Sequence, residues 1–200
     1  MSDPAAQDDW KVSWADMVAL VGQDLSDGTT IWGADRVEAG TIRRYLEPLE
    51  IGAAIHYDTG AARAAGYDDI VAPVTSVLSF HLPAMWSPGD APLFGDDDPD
   101  AQPLRTPINN VDTGPAPPTS GFFATDISVD FLRPVVVGER LGIRGKRLLS
   151  CAPKETVVGR GAFSTTESEI VSDRGDVVAV MRTGTYAYNP FGPGEERNAT

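Results

Sequence analysis

The composition of this 200-residue chain limits what the protein can be. Its hydrophobic fraction of 42% suffices for one substantial core, and the length favours a single domain. The net charge of −13 argues against a nucleic-acid partner, because phosphate binding depends on clustered Lys and Arg. A lone Cys151 excludes an internal disulfide framework. Since the sequence has neither a secretion signal nor the roughly 20-residue apolar run of a membrane span, we expect a cytoplasmic protein that does not enter a membrane.

Apolar spacing predicts mainly helices in the first half of the chain. After a small, polar lead-in at residues 1–8, which we expect to be disordered, the predicted elements are, in chain order, a short amphipathic helix ending near residue 22, a strand over residues 29–32, a helix over residues 38–47, an N-capped helical turn over residues 58–66 and a longer helix over residues 73–85. Pro73 begins the last helix, where its missing N–H costs nothing, and Pro83 loosens or ends it. His81 lies on the apolar side of this helix, and we interpret it as a hydrogen-bonded structural histidine.

A proline-rich segment separates these helices from the last third of the chain. Residues 87–120 contain eight of the 16 prolines and a series of aspartates, which indicates one long irregular loop. We expect this loop to lie over the substrate entrance or a subunit contact. Asp96, Asp98 and Asp100 begin like a calcium loop, but the Gly and Glu that such a loop requires at its sixth and twelfth positions are missing, so we expect no metal.

Strands are predicted in the last third of the chain. Apolar and polar residues alternate from Phe123 to Phe131, which predicts a half-buried strand. Three further strands are predicted, over residues 139–149, 156–171 and 177–188, and a turn at residues 173–176 joins the last two as a hairpin. Helices followed by antiparallel strands indicate one α+β domain over residues 9–190, with a tail at residues 191–200.

Two stretches of the sequence resemble the MaoC-like (R)-specific enoyl-thioester hydratases and dehydratases. The stretch TIRRYLEPLEIGAAIHYDTGAARAAGYDDIVAPVT, residues 41–75, is similar to the N-terminal half of their domains, and FLRPVVVGERL, residues 131–141, is similar to the family's strand–Arg-Pro–Gly-Asp/Glu segment. The resemblance implies an N-terminal-type hot-dog domain. In that α+β fold an antiparallel sheet wraps around a central helix, which we place at residues 73–85.

The family's catalytic motif is altered in this chain. Catalytic members of the family carry Asp-x-Asn-Pro-(Ile/Leu)-His, in which the carboxylate and the imidazole hold one water, while a backbone N–H at the start of the central helix polarises the thioester carbonyl. The motif's His falls on His56, but its Asp falls on Ile51, its Asn on Ala53 and its Pro on Ala54. The resemblance therefore implies an imidazole without its usual carboxylate.

Candidate site residues follow from this resemblance. It implies His56 as the candidate catalytic residue, and we expect Tyr57, Val74 and Thr75 to contact the substrate. No cofactor is implied, because coenzyme A would enter only as part of a thioester substrate. The basic residues within 140–147 are either a contact for coenzyme A or a solvated strand face.

Several functions remain open at this point. The leading hypothesis is a hydratase or dehydratase subunit that binds an acyl-thioester, acyl-CoA of the enoyl type, beside a second hot-dog subunit with an intact Asp/His motif. A second is a self-sufficient homodimeric hydratase that uses His56 with Glu50 or Asp58, or a thioesterase that uses a carboxylate near the central helix. The third is a non-catalytic thioester-binding or structural protein. We expect hetero-oligomers or self-association, because a lone hot-dog sheet leaves an edge strand uncovered.

Overall fold

The computed structural model describes residues 9–95 and 115–192 of the chain. The predicted lead-in at residues 1–8, the aspartate-rich part of the predicted loop at residues 96–114, and residues 193–200 of the predicted tail lie outside the described residues. None of the helices within the described ranges has the length and apolar content of a membrane-spanning helix. The elements are, in chain order, α1 (Asp9–Val12), α2 (Ala15–Ala19), β1 (Thr30–Arg36), α3 (Ala39–Leu46), 3₁₀ turns at Glu47–Leu49 and Ala54–His56, α4 (Thr59–Ala64), a 3₁₀ turn at Val74–Ser76, α5 (Val77–Phe80), β2 (Gly121–Phe131), β3 (Arg140–Thr156), β4 (Gly159–Ser172) and β5 (Val177–Asn189).

The five strands form one antiparallel sheet in the order β1-β3-β4-β5-β2. The strands β3, β4 and β5 form a meander in its centre, and β1 and β2 lie at its two edges. The turn between β4 and β5 is tight, with the Gly175 N–H donating to the Ser172 carbonyl at 2.9 Å and Gly175 in the left-handed region at φ 95°. These strands and this hairpin confirm the predicted α+β arrangement.

The core lies on one face of the sheet, which we name the inner face. Ile170 and Ala179 pair across β4 and β5 on this face and belong to one buried cluster with Val77 of α5. Ala162 is on the same face of β4, eight residues from Ile170 along an unbroken register, and it packs in a second cluster with the buried Trp14 near the N-terminus. The inner face is therefore covered at one end by α5 and at the other end by the N-terminal helices.

The central helix is shorter than the sequence predicts. A helix over residues 73–85 was expected, but the chain forms only one 3₁₀ turn and α5, which ends at Phe80. The reason is a tertiary contact: the Leu82 carbonyl accepts a hydrogen bond at 2.9 Å from the N–H of Ala34 in β1, so the chain leaves its helical path there. His81 is buried, its Nδ1–H donates to the Val77 carbonyl at 3.1 Å, and burial lowers its pKa, which confirms the structural histidine.

Two further predictions need correction. The single N-terminal helix is split into α1 and α2, and the Ser13 hydroxyl at the break donates to the Trp10 carbonyl at 2.6 Å, which competes with the helical hydrogen bonds. The strand predicted at residues 123–131 is present as β2, but it is exposed almost throughout rather than half-buried. The physical reason is its place at the edge of the sheet, where, within residues 9–95 and 115–192, β2 pairs with β5 alone.

Candidate functional site

The segment that carries His56 is fastened to the chain just before the central helix. The Ile55 carbonyl accepts a hydrogen bond from the Val71 N–H at 3.0 Å, and the His56 Nδ1 lies 2.7 Å from the Val71 carbonyl oxygen. Because a carbonyl can only accept, Nδ1 of His56 carries a proton, and this selects the tautomer in which Nε2 is the acceptor. The half-buried imidazole is thus oriented by a backbone group, whereas the usual orienting partner of a catalytic histidine is a carboxylate.

The carboxylates that are near His56 in sequence are bound to other groups or lie at exposed positions. Asp58 caps α4, with its Oδ1 accepting from the Ala61 N–H at 2.6 Å. Glu47 forms an exposed ion pair with Arg43 at 2.8 Å. Glu50 is exposed and adopts a left-handed backbone conformation at φ 52°. These observations argue against Asp58 as the substitute carboxylate.

The position of the motif's lost aspartate is an apolar surface site. The Ile51 side chain is 39% exposed, and its backbone carbonyl accepts a hydrogen bond from the Tyr57 hydroxyl at 2.7 Å. Tyr57 is therefore used to fasten the loop, although its ring remains partly exposed. In the parts of the chain that the structure describes, no group of three or more His, Cys, Asp or Glu side chains could hold a metal ion.

The predicted substrate contacts at the central helix follow directly after the segment that binds His56. The buried residues 71–73 precede the helix, and the carbonyl of Val71 is the group that contacts His56. Val74 and Thr75 begin the first turn after them, and both side chains are exposed. The Thr75 hydroxyl accepts a hydrogen bond from the Tyr45 hydroxyl of α3 at 2.8 Å. Tyr45 is a neighbour of the site that the sequence analysis missed. In the sequence, Tyr45 is one of the apolar-side residues of the helix predicted over residues 38–47. No local pattern predicts its hydrogen bond to Thr75, which is thirty positions away.

The carboxylate of Glu139 is fully buried and has a structural role. Glu139 at the start of β3 accepts hydrogen bonds from the Arg133 guanidinium at 2.7 Å, the Ser172 hydroxyl at 2.6 Å and the Val136 N–H at 2.9 Å. Burial alone would raise the pKa of Glu139, but these hydrogen bonds and the positive charge of Arg133 outweigh it and lower the pKa. The Arg-Pro–Gly-Glu stretch, residues 133–139, carries part of the resemblance. Its hydrogen bonds therefore fix the position of the chain where β3 begins.

The basic residues within 140–147 are largely used inside the fold. Arg140 donates through Nε to the Gly33 carbonyl at 2.9 Å, and Arg144 pairs with Glu169 at 2.8 Å. A cavity of about 380 Å³ lies beside this stretch, lined by Asp24, Ser26, Gly28, Arg144, Gly145, Arg147, Glu167, Ser168 and Glu169. Three carboxylates in that lining oppose a phosphate group, so the geometry favours a strand face over a contact for coenzyme A.

A protein-family model and one curated relative match this sequence. The model for the FAS1-like, dehydratase domain region matches residues 19–181. The "Probable enoyl-CoA hydratase alpha subunit" of Thermomonospora curvata is 27% identical over 173 residues, which are 86% of this chain and 50% of that protein. The chain thus spans about half the length of this curated relative.

Solved structures agree with the architecture. The ChsH1-ChsH2 complex of Mycobacterium tuberculosis contains a chain that matches with a TM-score of 0.60 at 23% identity, over 94% of this chain and 96% of that one. A MaoC-like dehydratase from Rhodospirillum rubrum matches with a TM-score of 0.50 at 17% identity, over 82% of this chain and 94% of that one. At sequence identities this low, the structural likeness establishes the fold alone, and it confirms the predicted hot-dog arrangement. With the family model covering most of its length, the chain belongs to the FAS1-like dehydratase-region family and is a MaoC-like hot-dog domain.

Proposed function

We propose that this chain is a subunit of an acyl-thioester hydratase or dehydratase, with an enoyl-CoA as substrate, and that it binds substrate beside a second hot-dog subunit that performs the chemistry. The observation that carries the proposal is the state of the motif. His56 is present and its Nδ1 is held at 2.7 Å by the Val71 carbonyl, while Ile51 occupies the position of the water-activating carboxylate.

The chemistry explains why one half of the motif is insufficient. Addition of water to an enoyl thioester requires a base for the water and a proton for the α-carbon, and a carboxylate and an imidazole divide these tasks. Nε2 of His56 can accept a hydrogen bond, but Asp58 is committed to capping α4. A second subunit with the intact motif would supply both groups, and this chain would contribute binding surface from Tyr57, Val74 and Thr75.

The comparisons support a paired arrangement. The curated relative is named as an alpha subunit of an enoyl-CoA hydratase, and the solved structure from Mycobacterium tuberculosis is a complex of two different proteins. For this chain the partner remains part of the proposal.

The test compares the purified chain with a mixture. The second component of the mixture is a hot-dog protein with an intact Asp-x-Asn-Pro-x-His motif, to be sought among the products of genes adjacent to the one for this chain. Hydration of enoyl-CoA is followed by the loss of enoyl absorbance. We expect little turnover from this chain alone and efficient turnover from the mixture. Turnover by the chain alone at the rate of the mixture would contradict the proposal.

One observation favours a second candidate, the self-sufficient hydratase. With the proton on Nδ1, the tautomer of His56 has Nε2 as its acceptor, as a general base requires. If the chain alone hydrates enoyl-CoA and His56→Ala abolishes that activity, this second function replaces the first.

A further inference from the structure

The middle of the inner face carries a row of hydroxyl side chains between the two buried clusters. The register of β4 with β5 is unbroken from residue 160 to residue 170, so the residues that share a face with the buried Ala162 and Ile170 follow from the pairing. The hydroxyl residues on the inner face between them, all half-buried, are Ser164, Thr166, Ser168, Thr183 and Thr185. We name these five residues the hydroxyl band.

The hydroxyl band interrupts the part of the sheet that builds the core. Polar groups are costly at core positions unless they are hydrogen-bonded, so a run of them on this face calls for a hydrogen-bonding partner. Leu148, which pairs with Thr166 across β3 and β4, is fully buried. Ile127, which pairs with Thr183 across β2 and β5, is 55% exposed. Within residues 9–95 and 115–192, the band is therefore covered on the side of β3 and accessible on the side of β2.

Two hydroxyls at the centre of the band can bind a ligand. Ser168 uses its hydroxyl within the fold, where it donates to the Gly145 carbonyl at 2.8 Å. In the part of the chain that the structure describes, the hydroxyls of Thr166 and Thr183 form no hydrogen bond with another protein group. These two residues pair directly across β4 and β5, which sets their Cβ atoms about 5 Å apart. Each hydroxyl can donate one hydrogen bond and accept two.

The hydroxyl band begins beside the segment that carries the candidate site. Val77 of α5 packs in one buried cluster with Ile170, and the chain just before α5 holds His56 through the Val71 carbonyl at 2.7 Å. Thr166 is four residues from Ile170 along β4, which is about 13 Å at the rise of a strand. A long acyl chain with its thioester at the start of the central helix would therefore reach the band along the inner face.

We propose that the hydroxyl band selects acyl groups that carry an oxygen function along the chain, a hydroxyl or a ketone, with Thr166 and Thr183 as its hydrogen-bond partners. Both oxygen functions accept a hydrogen bond, which is the chemistry that they share. A plain hydrocarbon chain would displace water from the two threonines without replacing its hydrogen bonds, and this loss disfavours binding. The inference rests on the proposed function and deepens it, because it names the class of acyl group.

Matched acyl-CoA probes test this selectivity. The probes are decanoyl-CoA and its derivatives with one hydroxyl or one oxo group at successive carbons of the chain, and calorimetry measures their dissociation constants. The wild-type chain is compared with Thr166→Val/Thr183→Val, in which the shape is kept and only the hydroxyls are lost. The control is Thr165→Val, which makes the same chemical change on the opposite face of β4.

We expect the wild-type chain to bind the best oxygen-bearing derivative about tenfold more tightly than decanoyl-CoA. Thr166→Val/Thr183→Val should lose this preference and bind decanoyl-CoA more tightly, whereas Thr165→Val should behave as the wild type. Equal binding of all probes by the wild type, or a preference that survives in the double variant, would overturn this inference alone. Binding of none of these thioesters would overturn the proposed function as well, so the two failures are distinguishable.

A thiol probe distinguishes the acyl group from other occupants of the band. Cys151 is the only cysteine of the chain, so Ser164→Cys in a Cys151→Ala background places a single thiol in the band. We expect this thiol to react in the free chain and to be protected by the preferred acyl-CoA. A thiol that is unreactive without ligand would indicate cover by residues 96–114, and protection by the second subunit alone would indicate a subunit contact. Either result would overturn the proposal.

Discussion

Replacing Glu139 by Gln, which is nearly the same size and shape, should lower the free energy of unfolding substantially. The side chain is fully buried, and its two oxygens accept from Val136, Ser172 and both terminal nitrogens of Arg133. An amide keeps the shape, but it turns one acceptor into a donor and removes the charge that balances Arg133. Breaking a buried ion pair costs about 3–5 kcal/mol. Arg133 is 27% exposed and keeps Asp176 at 3.3 Å, so we expect the lower end, about 3 kcal/mol.

Urea unfolding of the wild-type chain and of Glu139→Gln measures this difference. For a domain of this size about 3 kcal/mol corresponds to a Tm lower by about 10 °C. The matched control is Glu47→Gln, which breaks an exposed pair with Arg43 and should cost about 0.5 kcal/mol or less.

The pH dependence supplies a second check on Glu139. Its pKa is lowered by folding, so the carboxylate stabilises the native state above its unfolded pKa, and this stabilisation is lost as the pH falls through the folded value. The wild type and Glu139→Gln should therefore converge in acid. A difference below about 1 kcal/mol at neutral pH, or one that persists unchanged in acid, would refute the reasoning.

Three further changes test the packing and the site. Gly33→Ala should lower the free energy of unfolding by about 2 kcal/mol, because a Cβ there would lie 2.2 Å from the Phe80 carbonyl oxygen. The control Gly40→Ala meets nothing within 4 Å and should be neutral or stabilising, and chemical denaturation compares the two variants. Asp58→Ala should lower the free energy of unfolding by about 1 kcal/mol through loss of the α4 cap, with little change in the turnover of the complex, and a large loss of turnover would identify Asp58 as a catalytic carboxylate. Ile51→Asp should raise hydration by the chain alone about tenfold or more over Ile51→Asn if this position is the carboxylate slot, and equal rates would contradict that assignment.

The positions of the strands could be predicted from the sequence because they depend on local patterns. The predicted strand at residues 177–188 is found at Val177–Asn189, and the Gly175 turn joins it to β4. The exposure of β2 could not be predicted in this way, since alternation identifies a strand but not whether a neighbouring element covers it. The end of α5 at Phe80 likewise depends on the hydrogen bond between Leu82 and Ala34, which are far apart in sequence.

The site was accessible from the sequence only as a set of residues. The resemblance singled out His56, Val74 and Thr75, and the structure links them through Val71 at the start of the central helix. The contact of Tyr45 with Thr75 and the backbone partner of His56 are tertiary hydrogen bonds that carry no sequence signal. The catalytic and binding roles of these residues remain predictions.

The most direct test of the central claim is the kinetics of His56→Ala in the complex with the intact partner. If the partner's Asp and His carry the reaction, the change should lower kcat/KM by less than about tenfold, far below the roughly 100- to 10,000-fold cost of losing a general acid–base group. The same histidine-to-alanine change in the partner's motif is the control and should produce that large loss. A loss of about a thousandfold or more for His56→Ala would contradict the account and make His56 an acid–base residue of the reaction.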